Sequence, residues 1–123
     1  MDYLTILTWA GRILFGGFFV MMGMMHFMKA SMMADMASAK NVPFPKFNVL
    51  ASGILLLAGG LSVVFSQFIV WGLSALVVFL VPTAFVMHNF WAENSEMKMM
   101  QMSNFMRNMA LAGAAFLLLS FYL

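Results

Sequence analysis

The chain has no cysteine and very little charge. Without cysteine there can be no disulfide, thiolate metal site, cysteine nucleophile or covalently attached c-type haem. Six Lys/Arg and four Asp/Glu are the only charged side chains among 123 residues, which is 8% of the chain. A water-soluble domain carries about 25%. With 64% hydrophobic residues and a mean hydropathy of +0.97, this chain cannot cover its apolar surface in water, and the same surplus excludes disorder. The pI near 9.3 reflects a net charge of only +2, too small for a nucleic-acid partner. There is no glycine-rich phosphate loop, no nucleophile elbow and no carboxylate pair within the apolar segments, so nothing assembles a hydrolase or kinase site. No haem or metal site is evident either.

Four long apolar segments are present. About 20 residues at 1.5 Å each cross the roughly 30 Å hydrocarbon core. Residues 3–28, 47–65, 68–91 and 105–123 qualify, with residues 29–46, including Pro43 and Pro45, as the long first loop. The runs are too long for strands and lack period-two alternation. The expected fold is all-α, a polytopic membrane protein built as an antiparallel bundle of four transmembrane helices in a single domain over residues 1–123.

Aromatic and basic residues orient it. Trp71 and Trp91 stand 20 residues apart on the third segment, about 30 Å of helix, which matches a bilayer. Tyr3, Trp9, Trp71 and Tyr122 then mark the terminal face. Lys29, Lys40, Lys46, Lys98 and Arg107 gather at the opposite, loop-bearing face, so the positive-inside rule makes the long loops cytoplasmic, in an energy-transducing or plasma membrane. Arg12 is the exception. A signal peptide is a poor reading, because Asp2 stands where a basic n-region would be. Pro82 should kink the third helix and free a carbonyl for Thr83 or a neighbouring helix.

Close helix approach in lipid requires small residues. Gly16 and Gly23 are seven apart on the first helix, Gly53 and Gly60 seven apart on the second, and Ala110, Gly113 and Ala114 cluster on the fourth. These are packing surfaces.

Two histidines carry the candidate chemistry. His26 ends the first helix and His88 nearly ends the third, so an antiparallel bundle brings both to the loop-side interface. Lys29, Glu93, Asn104, Arg107 and Asn108 fall at similar height. This polar cluster over an apolar bundle suits a quinone or lipid head group, since a histidine can donate to a quinone oxygen and pass a proton. The bland alternative is a set of interfacial polar residues, each paired with a neighbour. Arg12 either faces the bundle interior or snorkels to the terminal interface. The candidate cluster is Arg12, His26, Lys29, His88, Asn89, Trp91 and Arg107, with quinone as the candidate cofactor. Sixteen methionines form helical stripes at Met21, Met25, Met28, Met32 and Met36, and at Met99, Met102, Met106 and Met109. Thioethers suit Cu(I), but a stripe at helical spacing is more often packing surface.

The run Gly11–Leu14 through Gly23-Met24-Met25-His26-Phe27 resembles the opening of DoxX-family membrane proteins. Ala39-Lys40-Asn41-Val42-Pro43-Phe44-Pro45 is similar to their "KGVPFP"-like loop, with Asn41 in place of the usual glycine. Ser52-Gly53 and Leu57–Leu61 resemble their second helix, and the stretch ending His88-Asn89-Phe90-Trp91 their "HDFW"-type third-helix end, with Asn89 replacing the acid. Asn108-Met109-Ala110 matches the start of their fourth helix. The resemblance implies a four-helix membrane bundle, with Arg12, His26, Pro43 and His88 as motif positions. The family takes its name from a thiosulfate:quinone oxidoreductase subunit, and other relatives are associated with membrane redox complexes or have no assigned activity. The expectation is an accessory or quinone-associated subunit of a respiratory-type complex, without a complete catalytic site, partnered by the bilayer and other membrane subunits. The alternatives are a scaffold packing through its methionine-rich faces and, third, Cu(I) handling.

Overall fold

Asp2 opens the first helix: its carboxylate accepts the Thr5 N–H at 2.9 Å, which caps the helix and holds the carboxyl below its ordinary pKa. The computed structural model describes residues 1–123. Helix α1 spans Tyr3–Met28, with a π-helical turn over Arg12–Gly16. A short helix α2 follows at Ala30–Ala39, then α3 at Pro45–Phe65 and α4 at Ile69–Met87. A single 3-10 turn at Phe90–Ala92 leads into α5 at Ser95–Tyr122. All structure is helical, and four helices are long and apolar enough to cross a membrane.

Three boundaries differ from the sequence expectation, the first being the end of α4, at Met87 and not near Trp91. Residues 29–46 contain the helix α2, and the last helix begins at Ser95, ten residues before its apolar stretch. The Asn94 side chain accepts the Met97 N–H at 3.0 Å, an N-cap in front of a polar first half. Hydropathy reports where a helix meets lipid, not where its hydrogen bonds begin.

Each long helix packs on its chain neighbour: α1 along α3, α3 along α4 and α4 along α5, with α2 laid on α3. The core joins Phe19 of α1, Leu56 and Val63 of α3, Leu73, Leu76 and Leu80 of α4, and Ala112 and Ala115 of α5. Only 19 of the 123 residues are buried, so most large apolar side chains face outward, as lipid permits and water does not.

Glycines set the spacing. A methyl on Gly60 would stand 2.7 Å from the Gly16 carbonyl oxygen, and one on Gly23 would stand 3.0 Å from that of Gly53. The two seven-residue glycine pairs therefore face each other in antiparallel register, Gly16 on Gly60 and Gly23 on Gly53. Adjacent Gly59 serves the other neighbour: its methyl would lie 2.9 Å from the Gly72 carbonyl oxygen on α4. Gly72 in turn packs on the Ser62 side chain. On α5 the expectation is corrected. Gly113 has open space around it and Ala110 is exposed, while Ala112 and Ala115 are the buried small residues. Helical phase decides this, since Gln101, Asn108 and Ala115 repeat every seven residues and Ala110 and Gly113 fall off that face.

Helix α2 ends in a Schellman turn. Val42 N–H bonds the Ala37 carbonyl at 3.1 Å and Asn41 N–H bonds that of Ser38 at 3.0 Å, with Asn41 left-handed at φ 61°. A left-handed residue just past a helix end is usually glycine, and asparagine is the next-best tolerated residue there. Asn41→Gly should leave stability within a few tenths of a kcal/mol, whereas Asn41→Val should cost about 1–2 kcal/mol. Unfolding midpoints in one detergent check both, and equal midpoints would refute the backbone argument.

Candidate functional site

The loop-side end of the bundle holds a cavity of about 530 Å³ between α1, α2, α3, α4 and α5. Pro82 helps to shape it. Helix α4 runs through this residue without ending, but proline has no N–H for the Val78 carbonyl, and both residues line the cavity. The neighbouring helix does not reach that carbonyl: the buried Asn108 amide donates instead to the Leu80 carbonyl, at 3.4 Å. Thr83 lines the cavity without such a bond.

His26 stands in the wall, 8% exposed. Its Nδ1 lies 2.8 Å from the Met22 carbonyl oxygen. A carbonyl only accepts, so Nδ1 carries the proton, and in the neutral ring Nε2 keeps a free lone pair. Phe79 meets the imidazole edge to face at 5.6 Å. His88 repeats the arrangement from α4: its Nδ1 donates to Gln101 Oε1 at 2.8 Å, and Asn104 also donates to that oxygen at 3.5 Å. Both histidines line the cavity, together with Arg107, so each has its Nδ1 tied back and its Nε2 unclaimed by the protein. In one protonation state Nε2 accepts a hydroxyl proton; in the other it donates to a carbonyl oxygen. No carboxylate lines this cavity.

A clasp closes the aqueous side. The Lys40 ammonium donates to Asn89 Oδ1 at 2.6 Å and forms an ion pair with Glu93, about four-fifths shielded at each end. The end of α2 is thereby tied to the segment between α4 and α5, across the helix that carries Met33, Met36 and Ala37 into the cavity.

Of the seven residues expected in one cluster, His26, His88 and Arg107 line this cavity. Asn89 adjoins it, occupied by Lys40. Trp91 belongs instead to an aromatic group with Phe85, Phe90 and Phe105 at centroid distances of 5.3–6.1 Å. Lys29 lines a separate cleft with Lys46. Arg12 is a correction: it lies 14 residues before His26 on one helix, about 21 Å away. Its guanidinium carbon sits 5.1 Å above the Trp9 ring, a cation–π anchor near the terminal face. The sequence does not single out Asn48 or Gln101, and it gives Ser52, Thr83 and Lys40 other roles, yet Asn48, Ser52 and Thr83 stand in the cavity wall with Gln101 and Lys40 behind it. A signal existed for some of these. Gln101, Asn104 and Asn108 fall on one helical face, as do Asn48 and Ser52. The methionines divide: Met22, Met33, Met36 and Met87 line the cavity, whereas Met21, Met28, Met99 and Met106 point outward, each more than 60% exposed.

Among known proteins, the DoxX family model matches residues 7–89, well over half of the chain and including both histidines. No curated protein matches significantly. No solved structure does either.

Proposed function

The chain belongs to the DoxX family, and from that premise we propose that it is a quinone-associated subunit of a membrane redox complex, binding the quinone head group in the loop-side cavity. The observation that carries this reading is the pair of histidines with Nδ1 tied back and Nε2 free, lining one cavity between apolar helices. A quinone needs such a site. Its two ring oxygens take a donor or acceptor each, and its tail needs an apolar exit between helices. Neutral His26 or His88 accepts the O–H of a hydroquinone; the protonated ring donates to a quinone carbonyl. Arg107 supplies a positive charge that favours the reduced, partly anionic head group. Without cysteine the chain has no dithiol–disulfide couple, and in this reading electrons pass to or from a carrier held elsewhere in the assembly. That is why the reading is a subunit, and one whose loop-bearing end is cytoplasmic by the five basic residues gathered there.

Substitution can separate the two ring nitrogens. Asparagine at position 26 can still donate to the Met22 carbonyl but has nothing at the place of Nε2. His26→Asn, and likewise His88→Asn, should weaken a short-tailed naphthoquinone or benzoquinone about tenfold in equilibrium dialysis, the worth of one hydrogen bond to a buried group. His26→Gln, which can reach the Nε2 position, should lose less. Unchanged affinity in the double asparagine variant would remove the quinone role. The second reading, a scaffold that packs on partner helices, is favoured by the outward methionines Met21, Met28, Met99 and Met106.

A further inference from the structure

A second site lies outside this cavity. Where α1 ends and α2 begins, a cleft is lined by Phe27, Met28, Lys29, Ser31, Lys46 and Leu50, among others. Lys29 comes from the α1–α2 junction and Lys46 from the first turn of α3, so positions 17 residues apart bring two lysines to one cleft. Neither is neutralised. The structure contains a single salt bridge, between Lys40 and Glu93, and no carboxylate lines this cleft. The side chains of Lys29, Lys46 and Ser31 make no hydrogen bond within the protein. Beside them, Phe27 is 42% exposed and Met28 74%, on the last turn of a membrane-spanning helix. Two unpaired cations and a free hydroxyl, set at the height where apolar surface gives way to loops, match a phosphate carried on acyl chains.

We propose that this cleft binds the phosphate of an anionic phospholipid, with Lys29 and Lys46 on the phosphate oxygens, Ser31 donating to one of them, and an acyl chain against Phe27 and Leu50. The site is separate from the quinone reading, since none of these side chains lines the histidine cavity. Two lysines near a membrane surface set the scale of the effect, roughly fivefold for each and roughly thirtyfold for both.

The test uses the whole protein, delipidated in a neutral detergent and re-supplied with phosphatidylglycerol or phosphatidylcholine, with bound lipid counted by native mass spectrometry. The expected result is retention of phosphatidylglycerol over phosphatidylcholine, lost roughly thirtyfold in K29Q/K46Q at an unchanged unfolding midpoint. Equal retention of the two lipids, or undiminished phosphatidylglycerol in the double variant, would overturn the proposal. Inorganic phosphate separates the sources. Displacement no greater than that by chloride at equal ionic strength supports a lipid ligand. Saturable phosphate binding that fully displaces phosphatidylglycerol would overturn it in favour of a free anion. K29R/K46R should restore retention, because the site reads charge.

Discussion

Gly60→Leu is expected to dismantle the bundle, while Gly113→Ala leaves it intact or slightly more stable. Gly60 stands against α1 so closely that even the methyl of alanine would meet the Gly16 oxygen and the Val20 nitrogen, both at 2.7 Å. These are backbone atoms and cannot rotate away, so one helix must move. Overpacking of this kind costs about 1–3 kcal/mol for alanine, and leucine adds three more carbons to the same collision. In lipid no hydrophobic drive holds displaced helices together, so the close contact is most of what the pair has. Gly113 has nothing within 4 Å of the added methyl, and there alanine should gain about 0.5–1 kcal/mol from helix propensity. Unfolding midpoints of the three proteins in one detergent should therefore move in opposite directions. A wild-type midpoint for Gly60→Ala would show that the seam is looser than described.

Asn108→Asp is the second large effect, and it acts through charge rather than shape. Asn108 is 5% exposed, and its amide donates to the Leu80 carbonyl beside the proline turn. Aspartate is almost the same size but presents an acceptor to an acceptor. An ionised carboxylate there is buried facing the Leu80 carbonyl, which should cost about 3 kcal/mol. Asn108→Ala loses a single long hydrogen bond and should cost about 1 kcal/mol. The comparison is most informative at two pH values. In acid the carboxyl is protonated and can itself donate to Leu80, so the aspartate defect should narrow while the alanine defect stays constant. If aspartate and alanine lose the same stability at neutral pH, the Leu80 contact is not a buried polar pairing.

Much of this architecture could be read from the chain, and the reasons are physical. Hydropathy located the four crossings because lipid tolerates no unsatisfied backbone and few charges. The glycine pairs at 16/23 and 53/60 were visible as close-approach surfaces, and their equal spacing of seven is what lets them meet in register. Their pairing partners were not legible, because spacing alone does not name a neighbour. His26 and His88 could be placed at one end of the bundle from antiparallel topology. Their tied-back Nδ1 atoms could not, since those depend on the Met22 carbonyl and on Gln101, thirteen residues beyond His88. The α5 face is not legible from Gly113, because small residues mark a packing surface only on the helical face that also carries the buried polar side chain, here Asn108. Charge and motif alone place Lys29 and Arg12 with the histidines. Depth along the helix separates Arg12, and the break between α1 and α2 turns Lys29 away.

The neighbour-to-neighbour packing of the helices bears on how the chain is made. Each membrane-crossing helix rests chiefly on the one synthesised just before it, and α3 and α4 are joined by only Ser66, Gln67 and Phe68. Contacts so local in sequence require little loop closure before they form. The glycine seam can therefore close once α3 leaves the translocation channel, and α4 can close on Gly59 while α5 is still being synthesised. Only the histidine cavity, which needs α5 for Asn108, Arg107 and Gln101, waits for the last helix. Assembly in reading order would complete the histidine cavity last, once α5 supplies Asn108 and Arg107.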